Sequence, residues 1–300
     1  MIADLLIVGS GALATLFAAR LSAAGVEVAV LGSWREGLAA LRKDGARLDD
    51  AVGQAVQVID NLADCRGVKS ALVLVKSYQT EHIASQLAEC LAEDGLAVTL
   101  QNGLGNDTIL ANTLGFQRVS RGVTTLGAAL VAPGFVRSGG EGVITLEAHS
   151  RLSVLDAMLN LAKFNVSIVG NMEPVVWGKL IINAAINPLT ALLRVKNGDL
   201  LTIPSARALM VELAGEAAQV AQALAVNLPF LNAEQAVEEV AQRTSENISS
   251  MLQDVLRGSP TEVDAINGAV VGLGEQKGVP TPVNRTICAL VKALPVRGKI

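Results

Sequence analysis

Two hydrophobic patterns follow one another along this chain. In the first half, short apolar runs at Leu5–Val8, Val26–Leu31, Ala71–Val75 and Leu96–Leu100 alternate with stretches whose apolar residues recur at helical spacing. Runs of this kind are expected of strands buried on both faces, in the middle of a parallel sheet covered by helices. Residues 46–59 are more polar and read as a hairpin before the Asp60-Asn61 turn. Four short runs, at Val119–Val123, Leu126–Val131, Phe135–Arg137 and Val143–Leu146, are set apart by Gly and Pro and predict an antiparallel extension of the sheet. A helix from Arg151 to Lys163 and a strand over Val166–Val169 close this half, and Gly170-Asn171-Met172 marks its end. Beyond it the pattern is helical throughout, with further helices expected over 204–225, 233–243, 247–256, 260–273 and 282–294. The chain therefore reads as an α/β protein: an N-terminal parallel-sheet domain over residues 1–171 and an all-helical C-terminal domain over 172–300.

The first apolar run leads directly into Gly9-Ser10-Gly11-Ala12-Leu13-Ala14, and a helical pattern and a second strand follow. Strand, glycine turn, helix and strand within about thirty residues make a dinucleotide-binding unit, so the domain over residues 1–171 reads as a Rossmann-type dinucleotide-binding domain. Gly9 permits the tight turn, Gly11 lets a pyrophosphate approach the backbone, and Ala14 allows close packing of helix on strand. Ser10, Ala12 and Leu13 complete the phosphate-binding turn, at a helix start whose N–H groups and dipole favour an anion. An NAD enzyme places a carboxylate after the second strand, but here the run is Leu31-Gly-Ser33-Trp34-Arg35. Ser33 and Arg35 can receive a 2′-phosphate and Trp34 can stack on adenine, which favours NADP while leaving NAD open. Lys76 and Asn102 each follow the C-terminal end of a strand, the edge where ligands bind in open α/β sheets. Lys76 is thus expected to face cofactor or substrate, and Asn102 the nicotinamide amide or ribose.

In the helical half, Trp177 to Pro188 is apolar nearly all round except at Lys179, Asn183 and Asn187. Residues four apart in a helix lie about 40° round and roughly 6 Å further along, so these three make one polar seam. Burying an ammonium or an amide without a partner is expensive. Such a seam either satisfies polar groups on a neighbouring helix or faces a cleft that handles a small oxygen-rich ligand. Further on, Asn247, Ser250 and Asp254 share a helical edge, and Glu262 falls in the first turn of another predicted helix.

Composition narrows the field. At 300 residues, 51% hydrophobic and 17% charged, the chain suits a compact protein with aliphatic cores. A net charge of −4 offers no basic footprint for nucleic acid. Despite a positive mean hydropathy, no unbroken apolar run reaches the eighteen or so residues of a membrane span, so no membrane partner is expected. The N-terminal run lacks a cationic start and ends in a glycine turn, which argues against a secretory signal. Three widely spaced cysteines read as structural thiols in a reducing cytoplasm. Two histidines in unrelated contexts build no metal site.

Taken together, the motifs resemble the ketopantoate reductase (2-dehydropantoate 2-reductase) family over almost the whole chain. The resemblance is carried by Gly9-Ser-Gly11-Ala-Leu, Lys76, Gln101-Asn102-Gly103, Trp177-Gly-Lys179-Leu with Asn183 and Asn187-Pro188-Leu-Thr-Ala, and Asn197-Gly198-Asp199-Leu. Its most specific stretches are Asn247-Ile-Ser-Ser250-Met-Leu-Gln-Asp and Thr261-Glu262-Val-Asp-Ala-Ile-Asn-Gly268. It implies NADPH-dependent reduction of 2-dehydropantoate to pantoate, a step towards coenzyme A. Lys179 would be the general acid, and Glu262 would orient the substrate and the lysine. Asn183, Asn187, Asn197, Asn247 and Ser250 would line the substrate site, with Lys76 and Asn102 on the cofactor side. One departure concerns the cofactor: the family usually has arginine where this chain has Ser33, so Arg35 would have to hold the phosphate. Two alternatives remain, a reductase of another small 2-oxo acid and a non-catalytic NAD(P)-binding sensor. Helical second domains of such enzymes often pair, so a homodimer is an open expectation.

Overall fold

The structure is a computed structural model that describes residues 3–295. Its strands are β1 (Leu5–Val8), β2 (Val28–Leu31), β3 (Arg47–Leu48), β4 (Gln57–Val58), β5 (Val68–Val73), β6 (Leu91–Thr99), β7 (Val119–Thr124), β8 (Ala128–Ala132), β9 (Phe135–Ser138), β10 (Val143–Glu147) and β11 (Asn165–Val169). Eight of them form one sheet in the order β11-β10-β7-β6-β5-β1-β2-β4, and β3-β9-β8 form a second. From β7 to β4 every pairing in the large sheet is parallel.

The apolar runs take the central positions because successive side chains of a strand point to opposite faces. Leu5, Ile7, Val28, Val30, Leu72, Leu96 and Val98 enter one core, whereas Leu6, Val8, Ala29, Leu31, Ala71, Val73 and Ala97 enter another. Each large aliphatic side chain buried this way contributes about 1.5–3 kcal/mol. The helix Ala12–Ala23 packs on the first core, where Phe17 stacks on Phe164 with ring centroids 4.6 Å apart. Arg20 covers the Phe164 ring at 3.9 Å and donates to the carbonyls of Ala162 and Lys163.

Three sequence expectations are corrected here. The polar stretch 46–59 folds back on itself at a single antiparallel bridge, Ala46 with Gln54, but its strands do not pair with each other: β3 pairs with β9 in the small sheet, and β4 joins the edge of the large one beside β2. Hydrophobic alternation cannot identify a strand's partner, and two-residue strands carry almost none. The predicted antiparallel extension divides likewise. β7 continues the parallel sheet, β10 turns antiparallel to β7, β11 pairs parallel with β10, and β8 leaves to pair with β9. Finally, Cys65 and Cys90 are not separate thiols but a disulfide pair with Cα atoms 5.3 Å apart. They precede β5 and β6, whose pairing sets Val68 beside Leu91 and so brings the two cysteines together. Cys288 is a buried free thiol.

By their contacts the residues fall into two units, Met1–Gln101 with Gly105–Met172, and Asn102–Leu104 with Glu173–Ile300. The second unit is built from helices Glu173–Leu193, Pro204–Ala223, Ala233–Arg243, Ser250–Arg257, Ala269–Lys277 and Pro282–Lys292, joined by shorter turns. Trp177, Leu180, Ile181, Met210, Leu213, Val220, Val237, Ile266 and Ile287 fill its core. Glu173–Leu193 is long and apolar enough to cross a membrane by length and composition alone, but 67% of its most apolar window is buried. That is the signature of a core helix.

Candidate active site

In the first unit, the glycine turn after β1 is shaped by close backbone packing. Gly9 has φ of 136°, and a Cβ there would lie 3.1 Å from the Leu74 carbonyl. Its N–H donates to Leu31 at 2.7 Å, which holds the turn against the end of β2. Gly11 caps the helix Ala12–Ala23 with no side-chain hydrogen bond, and no acidic residue lies in the first turn. A Cβ on Gly11 would meet no protein atom. First-turn N–H groups with no intrahelical partner, a positive dipole end and room above Gly11 fit a pyrophosphate. Ser10 is buried, and a side chain at Gly32 would crowd its hydroxyl at 3.0 Å. Ala12 and Leu13 pack against the first core.

Ser33 and Lys76, predicted from separate strand ends, are drawn together by a residue the sequence reading passed over. Gln79 donates through Nε2 to Ser33 Oγ at 2.7 Å and accepts from the Lys76 N–H at 3.3 Å. The available signal was position: a Gln three residues after the start of a turn can reach back to its first N–H, as in a capping box. Arg35 begins the helix Arg35–Asp44, is exposed, and makes no ion pair among the described residues. Trp34 lies against Gly37, where any side chain would overlap its ring. Gln101 serves the scaffold, donating to the Val75 carbonyl (3.0 Å) and Thr80 Oγ1 (2.9 Å).

In the second unit, Lys179 lies on the core helix Glu173–Leu193. It keeps part of its surface open, yet burial lowers its pKa to about 8, against an opposing pull from the carboxylate of Glu262. Desolvation penalises the ammonium and the carboxylate favours it; here desolvation wins. One turn on, Asn183 is half-buried, and Asn187 is 7% exposed. Neither makes a side-chain hydrogen bond among the described residues. Internal glue would commit such amides to a neighbouring helix, and no hydrogen bond among those residues does so.

Glu262 is buried at 6% exposure, immediately before a π-helical turn over Asp264–Gly268. Asn102 donates to its Oε2 at 3.4 Å. The loop carrying Asn102 is moored beside it, with the Leu104 N–H on the Ala265 carbonyl at 2.9 Å. Gly103 has φ of 86°, and a Cβ there would overlap the Ala265 carbonyl. Glycine alone meets both demands. Asn102, expected on the cofactor side, is thus a neighbour of Glu262 and groups with the helical unit.

The other predicted residues form a second cluster. Asn197 donates from Nδ2 to Thr244 Oγ1 (2.9 Å) and from its N–H to the Asn247 carbonyl (3.1 Å), while its buried Oδ1 has no hydrogen-bond partner among the described residues. Asn247 and Ser250 are exposed. The buried serine is its neighbour Ser249, which caps the helix Ser250–Arg257 through the Leu252 N–H (3.1 Å) and lies 2.6 Å from Thr190 Oγ1 on the lysine's helix. Lys179, Glu262 and Asn102 form one group and Asn197 and Asn247 another, with no hydrogen bond between the groups among the described residues.

A group that gives up a proton near neutral pH, held beside a carboxylate and uncommitted amides, suits protonation of a developing oxyanion on a small polar substrate. Comparison with known proteins bears on which substrate. Residues 5–151 match the family model described as Ketopantoate reductase PanE/ApbA, and residues 171–295 match its C-terminal counterpart. The 2-dehydropantoate 2-reductase of Archaeoglobus fulgidus is 37% identical over 293 residues, 96% of each chain. That of Halobacterium salinarum is 33% identical, over 95% of this chain and 96% of its own. Among solved structures, a PanE/ApbA family ketopantoate reductase from Ralstonia eutropha superposes with a TM-score of 0.89 at 31% identity, covering 97% of each chain. D-mandelate dehydrogenase in complex with NADH shares the fold, with a TM-score of 0.88 at 23% identity over 96% of this chain and 97% of its own.

Proposed function

Because this chain belongs to the PanE/ApbA ketopantoate reductase family, we propose that it reduces the ketone of 2-dehydropantoate to pantoate with NADPH, using Lys179 as the proton donor. The observation that carries this reading is the state of Lys179: a lysine with a pKa of about 8 beside Glu262, on the same helix as two amides that make no side-chain hydrogen bond among the described residues. Full-length relatives named for this reaction supply the substrate. When bound, the nicotinamide ring supplies the hydride. The chain's part is to bind, orient and protonate. The turn from Gly9 to Leu13 holds the pyrophosphate, and Lys179 gives its proton to the oxygen on which negative charge develops. Glu262, braced by Asn102, keeps the lysine charged before the transfer. Asn183 and Asn187 offer donors and acceptors to the substrate's carboxylate and hydroxyl without a competing charge.

Mixing the protein with NADPH and 2-dehydropantoate and following cofactor oxidation tests the reading. Turnover that is faster with another 2-oxo acid would replace the substrate; binding of NADPH with no turnover on any 2-oxo acid would end the enzyme reading. Running NADH in parallel tests the cofactor. With Arg35 taking the 2′-phosphate, Arg35→Ala is expected to raise KM for NADPH about tenfold, the scale of one lost charge-assisted contact, and to leave KM for NADH nearly unchanged. An equal effect on both cofactors removes Arg35 from phosphate recognition.

A further inference from the structure

Pro188 lies inside the helix that carries Lys179. Proline has no N–H, so the carbonyl four residues back, that of Ala184, loses its helical partner, and the ring crowds the same oxygen. Leaving a buried acceptor unpaired costs on the order of 1–3 kcal/mol. Here Asn267 Nδ2 donates to the Ala184 carbonyl at 2.9 Å, in place of the missing N–H.

Asn267 is fully buried and belongs to the π-turn that begins beside Glu262. That turn is closed by the Gly268 N–H on the Val263 carbonyl (2.9 Å), while the Ile266 N–H binds the carbonyl of Glu262 itself (3.1 Å). An extra residue wound into one turn is a recurrent device of functional sites. Asn267 is fixed from behind as well, since its Nδ2 also donates to Asn284 Oδ1 at 3.0 Å. Asn284, also fully buried, donates to the Leu213 carbonyl (3.1 Å) and to Glu216 Oε2 (2.8 Å). The Glu216 carboxylate further accepts the N–H groups of Val283 and Asn284, each at 2.8 Å, at the start of the last helix. Four elements are joined by this chain of amides: the lysine's helix, the turn after Glu262, and the helices Pro204–Ala223 and Pro282–Lys292.

We infer that Asn267 is a positioning residue for the reaction: by supplying the hydrogen bond that Pro188 deletes, it fixes the turn bearing Glu262 against the helix bearing Lys179. The inference rests on the reading of Lys179 as the proton donor. Ala184 follows Asn183 directly and lies just over one turn beyond Lys179, so a bond at its carbonyl sets where the helix stands relative to the carboxylate. The attraction between ammonium and carboxylate varies inversely with their separation. Other charges on the packed elements are held elsewhere: Asp264 by Lys292 (2.7 Å), Glu275 by Arg285 (2.7 Å) and Glu216 by the helix start. Among the described residues, Glu262 is the charge whose pull raises the pKa of Lys179.

The test is a double-mutant cycle of Asn267→Ala and Pro188→Ala, because alanine at 188 restores the N–H that Ala184 needs. Asn267→Ala is expected to lower kcat about tenfold while KM for NADPH stays within about twofold. The alkaline limb of its kcat/KM profile should move to lower pH by about half a unit or more, since a less well held Glu262 supports the ammonium less. Pro188→Ala/Asn267→Ala should recover most of the kcat, the limb and the melting temperature. A folded Asn267→Ala with wild-type kcat and limb overturns the inference, as does a double variant that regains its melting temperature but not its limb. If Asn267→Ala does not fold, the double variant decides: a fold with the wild-type limb supports the inference, and a displaced limb or no fold overturns it. Lys179→Ala run alongside separates the two claims. Should that variant keep its turnover, the proton-donor reading fails, while coupling of Pro188 and Asn267 in melting temperature still reports on the bond.

Discussion

Replacing Lys179 with alanine is expected to lower kcat by roughly 100-fold or more, the usual cost of losing a positioned general acid, with NADPH affinity preserved because the phosphate-binding turn is untouched. Titration calorimetry with NADPH and steady-state kinetics on the same sample separate these effects. A variant that loses substrate affinity but keeps its kcat would reduce Lys179 to a binding residue. The wild-type profile supplies an independent check. With a pKa of about 8 the lysine of the free protein holds its proton below that pH and loses it above, so kcat/KM should fall as pH rises through about 8 and the fall should vanish in the variant. The same group has a stability signature of known sign. Its folded pKa lies below the ordinary 10.5, so the unfolded chain binds more protons between the two values, and stability rises with pH across that window. Below about 8 the buried ammonium is a full liability. Lys179→Met, which keeps the bulk and removes the charge, should therefore melt higher than wild type at pH 7 while being nearly inactive, and a lower melting temperature would mean that the attraction of the Glu262 carboxylate outweighs desolvation.

A second large effect is expected at a residue with no side chain. Gly103→Ala forces a non-glycine residue into φ of 86° and drives its Cβ into the Ala265 carbonyl. The backbone term alone costs about 1 kcal/mol or more, and the clash must be relieved by moving the loop or the π-turn. Either movement separates Asn102 from Glu262 and strains the bond from Leu104 to Ala265. The expected result is a loss of kcat/KM of at least about tenfold together with a lower melting temperature. Asn102→Ala should lose activity with little change in melting temperature, because only the side-chain contact goes. If Gly103→Ala melts and reacts like wild type, the mooring of this loop is unimportant.

Much of this was legible in the chain. The central strands could be read because wholly apolar runs have one physical explanation, and the glycine turn could be placed because it joined such a strand to a helix. The seam of Lys179, Asn183 and Asn187 was visible because polar residues on a buried helix need a reason. Other features depend on partners distant in sequence. Nothing local says that β3 prefers β9, or that Cys65 and Cys90 share the ends of paired strands. Asn267 looked like one more polar residue on a predicted helix, although Pro188, seventy-nine positions earlier, defines its role. Glu262 was expected in an ordinary first turn; the π-turn that follows it depends on packing that a periodicity cannot report. Gln79 and Ser249 were passed over for a different reason: each acts by securing a neighbour, and such roles leave no mark in hydrophobic pattern.

The short stretch Asn102–Leu104 carries a consequence for how the protein is made. It packs with a helical unit whose other residues begin at Glu173 and whose bond to it, at Ala265, is synthesised some 160 residues later. A chain emerging from the ribosome can complete its parallel sheet early, but these three residues must wait for their partner, and closing so long a loop is entropically demanding. The turn after Glu262 is thus assembled late and on a template already present. A fragment comprising residues 173–300 would lack that template, and a protein separated into its two halves should recover a native Glu262 turn only when the first half is supplied.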